Sequence, residues 1–224
     1  MPKKAKPELI QYFKKDNIEV GIDEAGRGCL AGPVYIAACV WPQSEDPEIK
    51  NNKDIDIRDS KLLTKKRRAA TFDYIKKTAI AYSIKHGDHN MIDKHNILKT
   101  TKLLMHEAIK DIEEQLQKKN IDIDTILVDG NQFDYYLDRN FEAIPHQCVT
   151  KGDNIYKSIA AASILAKETR DRYMIKLVED NPEYKKYGWQ DNMAYGTKKH
   201  IDAIKENGIT SIHRKTFGIC KTFA

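Results

Sequence analysis

The chain has 224 residues, enough to bury a substantial core as one domain, or as one domain with a small appendage. Charged side chains make up 32% and leave a formal net charge of +5, which suits a polyanionic partner, although a solvated charged surface produces the same figure. No apolar stretch approaches the ~18 residues needed to span a bilayer, and Cys29, Cys39, Cys148 and Cys220 contain no C-x-x-C pair, so a membrane protein and a structural zinc site are both disfavoured.

The start, Met1-Pro2-Lys3-Lys4-Ala5-Lys6-Pro7, lacks the apolar core of a signal peptide. With thiols that read as reduced, this leads to a cytoplasmic location. Residues 1–17 read as a basic N-terminal extension and residues 18–224 as the folded domain. An apolar, β-branched run over 18–22 predicts a strand that breaks into Asp23-Glu24 and then Gly26-Arg27-Gly28. A second strand over 34–41 follows a hairpin-like turn at Gly32-Pro33. Residues 42–59 are polar and read as a loop. Thr64 N-caps a basic amphipathic helix over 65–78, and residues 79–85 alternate as a third strand. Leu104, Ala108, Ile112 and Leu116, at four-residue steps, predict a long helix over 97–119 with one buried stripe.

Residues 125–128 form a short strand ending in Asp129-Gly130, and 143–149 the next. The segment 155–178 is helical, and its Ala160-Ala161-Ala162-Ser163 patch allows close packing on a sheet; a last short helix covers 198–206. Strands first, then alternation of helix and strand, give an α/β architecture: a central mixed β-sheet flanked by helices, with a small C-terminal helical appendage. His86, His89 and His95 are close in sequence but have no matching cysteine or carboxylate, and read as loop residues.

Chemistry concentrates at the strand ends. Carboxylates there suit a hard divalent cation, glycines let backbone approach a ligand, and arginine offers a fork of donors matched to phosphate. Asp23 to Gly28 therefore points to an enzyme acting on a phosphodiester, unless it is only a strand-ending turn. If the strands ending in Asp23 and Asp129 are neighbours, the two carboxylates meet at the sheet edge where open α/β sheets bind ligands. Asp153 opens the long helix, as its N-cap or as a further acid of the site. Glu24 can join Asp23 only if the strand has already ended, because successive strand side chains face opposite ways. Gathered carboxylates repel one another until a cation removes that cost, and such a group can hold two metals ~3.5–4 Å apart about an in-line displacement. The residues alone reach metal-dependent phosphoryl chemistry and no substrate.

Seven motifs then stand in order: Asp23-Glu24-Ala25-Gly26-Arg27-Gly28 with Leu30-Ala31-Gly32-Pro33; Asp59-Ser60-Lys61-Leu62; Asp129-Gly130-Asn131; Lys151-Gly152-Asp153; Ser158-Ile159-Ala160-Ala161-Ala162-Ser163-Ile164-Leu165-Ala166-Lys167; Tyr195-Gly196-Thr197; and His213-Arg214-Lys215-Thr216-Phe217-Gly218. This succession resembles ribonuclease HII. The resemblance implies a ribonuclease H-like fold and an endoribonuclease that cuts the RNA strand of RNA–DNA hybrids, or cuts 5′ of a single ribonucleotide in duplex DNA, leaving 3′-hydroxyl and 5′-phosphate ends. It implies Asp23, Glu24, Asp129 and Asp153 as catalytic acids binding two Mg²⁺ or Mn²⁺ ions, with Asp23 bridging them. Gly26, Arg27 and Gly28 resemble the family's reader of the 2′-hydroxyl, the group that distinguishes RNA from DNA.

Tyr195 matches a tyrosine that stacks on the neighbouring deoxyribose and senses an RNA–DNA junction. Lys61, His213 and Arg214 complete the implied substrate-binding set. The partners implied are RNA–DNA hybrid and ribonucleotide-containing duplex DNA, met by a monomer away from any membrane. The short segment before Asp23 favours type HII over type HIII, which carries an extra N-terminal domain, and no clamp-binding tail is evident. Cys29 stands where the family commonly has proline, and Ala194 where it commonly has glycine, which leaves the pose of Tyr195 open.

Other readings stand beside these. Tyr195 alone is an ordinary packing aromatic, His213-Arg214-Lys215 a solvated basic patch, and Asp59-Ser60-Lys61 a turn with surface charge. The whole chain could be another metal-dependent nuclease or resolvase of the same superfold. A non-catalytic hybrid-binding protein is the rival from another class, but it leaves four acids repelling their ligand. No G-x-x-x-x-G-K-[ST] loop supports nucleotide hydrolysis.

Overall fold

The computed structural model of the chain describes residues 8–44 and 54–224; the first seven residues of the expected extension and the middle of the expected 42–59 loop lie outside them. Five strands make one mixed sheet in the order β3-β2-β1-β4-β5. They are β1 (Glu19–Ala25), β2 (Val34–Val40), β3 (Ala81–Gly87), β4 (Thr125–Asp129) and β5 (His146–Val149). β1–β2 and β2–β3 pair antiparallel, while β1–β4 and β4–β5 pair parallel.

Alternation along β1 and β2 divides the side chains between two cores. Val20, Ile22, Val34, Ile36, Ala38 and Val40 face one side. There they meet Leu104, Ala108, Ile112 and Leu116, the stripe predicted from four-residue spacing, on α3 (Ile97–Gln117). Ala25, Tyr35, Ala37, Cys39 and Trp41 face the other side, under α1 (Lys65–Thr78) and α4 (Lys157–Asp180). Thr64 caps α1 as expected, its hydroxyl accepting the Arg67 N–H.

The small-residue patch of α4 lets that helix lie almost on the backbone of β1. A Cβ added to Gly21 would fall 2.2 Å from the Ser158 carbonyl carbon, so only glycine fits there. Arg68 of α1 reaches α4 through Glu168 at 2.9 Å and Asp171 at 2.8 Å, all three buried. Beyond the sheet, the C-terminal half of α4 packs with α5 (Trp189–Asn192) and α6 (Lys198–Asn207) in a third apolar cluster around Trp189, Ile204 and Cys220. This is the expected helical appendage.

Several boundaries differ from expectation. β1 runs on through Asp23 and Glu24, because β2 keeps pairing with it out to Ala25↔Tyr35. β5 begins at His146, since Ala143 makes only an isolated bridge to Leu137. The long helix starts at Lys157 behind Tyr156, so Asp153 is not its N-cap; it sits in a separate 3₁₀ turn, Gly152–Asn154. The three histidines are not loop residues: His86 is on β3 and stacks on Tyr35, and His89 and His95 bound the short helix α2 (His89–His95). No helix among the described residues is long and apolar enough to cross a membrane.

Candidate active site

β1 and β4 are parallel neighbours whose register runs to Ile22↔Val128. One step further brings Asp129, the last residue of β4, level with Asp23. The Asp23 side chain shares the face of Gly21 beneath α4, where Ser163 hydrogen-bonds it and the Glu24 N–H donates to its Oδ1 at 2.7 Å. Glu24 belongs to the opposite face, yet it too feels the Asp129 charge. The condition that the strand must end before Glu24 is therefore not the one met. β1 simply outruns its pairing with β4, and the acids on both of its faces feel the Asp129 charge.

Asp129 accepts the Gly152 N–H at 2.7 Å, which ties the end of β4 to the turn carrying Asp153. Asp153 in turn accepts from Asn154 Nδ2 at 2.9 Å. Burial raises the carboxyl of Asp23 well above its usual range, with the charges of Glu24 and Asp129 adding to it. Glu24 is raised by burial, against the lowering pull of Arg27 at 3.4 Å and of Lys61. Asp153 is raised by burial and by Asp59 and Asp129, against Lys61. Several carboxylates thus share one poorly hydrated edge, with Lys61 the exposed cation felt by two of them.

The turn after β1 is held from behind. Gly26 has φ 90°, and a Cβ there would fall 2.0 Å from Arg170 Nε. Arg214 donates to the carbonyls of Gly26 (2.8 Å), Arg27 (2.9 Å) and Gly32 (2.9 Å), while Arg170 donates to those of Pro33 (3.0 Å) and Met193 (2.9 Å). Both guanidiniums are fully buried, and burial brings Arg214 down to about 10. Gly28 is different: it is exposed, its φ is not left-handed, and an added Cβ would meet nothing within 4 Å. Nothing in the fold requires glycine at that position.

Tyr195 is 37% exposed, bridges to Cys29, and has Lys167 Nζ and Arg170 Cζ at 5.8 and 5.7 Å from its ring centroid. The expectation that His213 and Arg214 contact substrate needs correction: both are 0% exposed. Their hydrogen bonds go to the loop backbone and to other buried groups, so they shape the turn from beneath. Buried Arg170 and the Ser163 and Asn154 bonds to the acids were not foreseen. A sequence does not reveal a buried arginine, since its charge reads as solvent-exposed.

The donors at this edge are carboxylate oxygens, with no histidine or thiol among the charges they feel. Their mutual repulsion favours a hard divalent cation such as Mg²⁺ or Mn²⁺. Among the described residues, no three His, Cys, Asp or Glu side chains already close into a metal cage.

The family model described as Ribonuclease HII matches residues 20–220. A Ribonuclease HII from Bacteroides thetaiotaomicron is 46% identical over 211 residues, 94% of this chain and 94% of the relative. One from Parabacteroides distasonis is 46% identical over 209 residues, 93% and 94% of the two chains. Among solved structures, the ribonuclease H2 of Pyrococcus horikoshii matches with a TM-score of 0.65 at 23% identity, covering 92% of this chain and 96% of that one, a likeness of fold. The RNase HII of Archaeoglobus fulgidus, solved in complex with PCNA, matches at 0.63 and 25% identity, covering 90% and 95%. Bst-RNase HIII, solved in complex with Mn²⁺, matches at 0.68 and 18% identity but only over 68% of its length, with 92% of this chain covered. With a family model spanning most of the chain and relatives alike across nearly all of it, this chain belongs to the ribonuclease HII family, metal-dependent endoribonucleases that cleave the RNA of RNA–DNA hybrids.

Proposed function

We propose that the chain cuts RNA–DNA hybrids and also cuts 5′ of single ribonucleotides in duplex DNA, leaving 3′-hydroxyl and 5′-phosphate ends. Asp23, Glu24, Asp129 and Asp153 are the acids that hold two Mg²⁺ or Mn²⁺ ions. The observation that supports this most is the meeting of Asp23 and Asp129 on parallel neighbouring strands, with Asp153 tied to Asp129 through Gly152. When bound, the ions supply positive charge that eases proton loss from water and offsets charge on the departing 3′-oxygen.

The chain's own residues do the rest. The Gly26-Arg27-Gly28 turn, gripped by Arg214, offers a rigid backbone edge to the ribose. Gly28, a glycine that the fold does not need, supports close approach of a ligand to that edge. Lys61 lies on the exposed side of the acids, where a phosphate would sit. Tyr195 offers a half-exposed ring to the sugar beyond the ribonucleotide. The reading has the chain act as a monomer in the cytoplasm, in keeping with its four free cysteines.

Asp129→Asn removes one charge and keeps an oxygen for the Gly152 N–H. It should keep hybrid binding while cleavage falls by about a thousandfold, the scale of lost metal-borne charge stabilisation. Gel-shift and cleavage assays on one hybrid separate the two; turnover near wild type would remove Asp129 from the site.

A further inference from the structure

Two buried histidines behind the site have their protons dictated by their neighbours. The Thr210 N–H donates to His213 Nδ1 at 2.8 Å, so that nitrogen is an acceptor. The indole N–H of Trp189 donates to His200 Nε2 at 2.9 Å, so that nitrogen is also an acceptor. His200 Nε2 and His213 Nε2 lie 3.2 Å apart, so His213 donates to that same His200 nitrogen, whose single lone pair is shared between the Trp189 and His213 N–H groups. His200 then carries its proton on Nδ1, 3.0 Å from the carbonyl oxygen of Tyr195. One directional path runs from Thr210 through both rings to the backbone of Tyr195.

Both rings are fully buried. Burial lowers the pKa of His200, and burial together with the neighbouring His200 brings His213 to about 4, so both stay uncharged near neutral pH. The path also closes a loop. His213 bridges to Ala31 while Tyr195 bridges to Cys29, and the Leu30 N–H donates to the Ala194 carbonyl at 2.9 Å. Next to His213, Arg214 grips the carbonyls of Gly26 and Arg27. The turn after β1 thus threads between the strand-like segments bearing Tyr195 and His213, and the histidine pair joins those segments behind it.

We propose that His200 and His213 are positioning residues whose hydrogen-bonded pair holds Tyr195 in a fixed relation to the Gly26-Arg27-Gly28 turn. Through that spacing they set how strongly the chain favours an RNA–DNA junction over continuous hybrid. The inference rests on the reading of Tyr195 as a substrate contact. The Tyr195 carbonyl also accepts the Thr197 N–H at 2.8 Å, so losing His200 loosens the tyrosine without freeing it.

The test measures kcat/KM on a duplex with one ribonucleotide and on a long hybrid, for Tyr195→Ala, His200→Leu, His200→Asn and the double variant Tyr195→Ala/His200→Leu. Thermal melts verify folding. His200→Leu should lower the single-ribonucleotide to hybrid ratio by roughly fivefold, the worth of one net hydrogen bond. His200→Asn, whose amide can still donate to the Tyr195 carbonyl, should recover much of it. In the Tyr195→Ala background, His200→Leu should lower the ratio no further. A ratio that falls with Tyr195→Ala but not with His200→Leu overturns the histidine role alone, as does a full additional loss in the double variant. A ratio untouched by Tyr195→Ala overturns the tyrosine reading and the proposal with it. Nitrogen NMR of the wild-type rings gives a check that needs no variant to fold. Protons on His200 Nδ1 and His213 Nε2 are expected, and the opposite tautomers overturn the path.

Discussion

Ala194 has a left-handed backbone, φ 63°, and its methyl is fully buried. That conformation costs a non-glycine residue about 1–2 kcal/mol, and a buried methyl returns about 1 kcal/mol. Ala194→Gly should therefore leave stability within about 1 kcal/mol, whereas Ala194→Val, branched where φ is positive, should cost more than about 2 kcal/mol. Denaturant melts check both, and a tolerated valine would show that the turn adapts. Asp23 offers a sharper test. Asp23, Glu24 and Asp153 all have raised pKa values in the fold. Such groups favour the fold most below the ordinary carboxylate value of about 4, and that contribution is lost as pH rises through each raised value. Without metal, Asp23→Asn should therefore raise the melting temperature at neutral pH. Added Mg²⁺ or Mn²⁺ should stabilise the wild type, by about 2.7 kcal/mol at a hundred times Kd, and the variant less. A metal-free variant that melts lower than wild type would contradict the crowded-acid picture.

At the scale of elements, the contact between α4 and β1 carries the site, because it places Ser163 on Asp23 and the Gly152–Asn154 turn beside Asp129. Gly21→Ala should push the helix off the strand and cost about 3 kcal/mol or more, as backbone cannot repack the way side chains do. Gly28→Ala is its counterpart. With open space around it, stability should stay within about 0.5 kcal/mol, while cleavage falls because the ligand's approach is blocked. Thermal melts and hybrid cleavage on the pair distinguish a glycine kept for packing from one kept for a ligand; equal effects on stability would remove the distinction. The sequence made this layer legible in part. β-branched runs leading into Asp23 and Asp129 announced two strands, with the end placed correctly for Asp129 and two residues early for Asp23, and the Leu104 to Leu116 spacing announced α3. The helix His89–His95 went unseen because Ile92 is its only buried residue, too little for a periodic signal. The burial of Arg170 and Arg214 was equally hidden, since their hydrogen bonds to Pro33 and Gly26 join positions more than a hundred residues apart in sequence.

For the whole molecule, the mixed sheet and helical appendage follow from pattern, while the convergence of Asp23, Asp129 and Asp153 follows from strand order, which no local stretch encodes. A net charge of +5 coexists with an acidic edge, so a polyanion is drawn to the molecule but not to its carboxylates unless cations intervene. Metal dependence and nucleic-acid cleavage are thus one claim. The most direct measurement incubates a duplex DNA carrying one ribonucleotide with the chain, with and without Mg²⁺ or Mn²⁺, beside an all-DNA duplex. A single cut 5′ of the ribonucleotide, present only with metal and leaving 3′-hydroxyl and 5′-phosphate ends, is expected. Cleavage of the all-DNA duplex, or cleavage that persists in a chelator, would contradict the assignment.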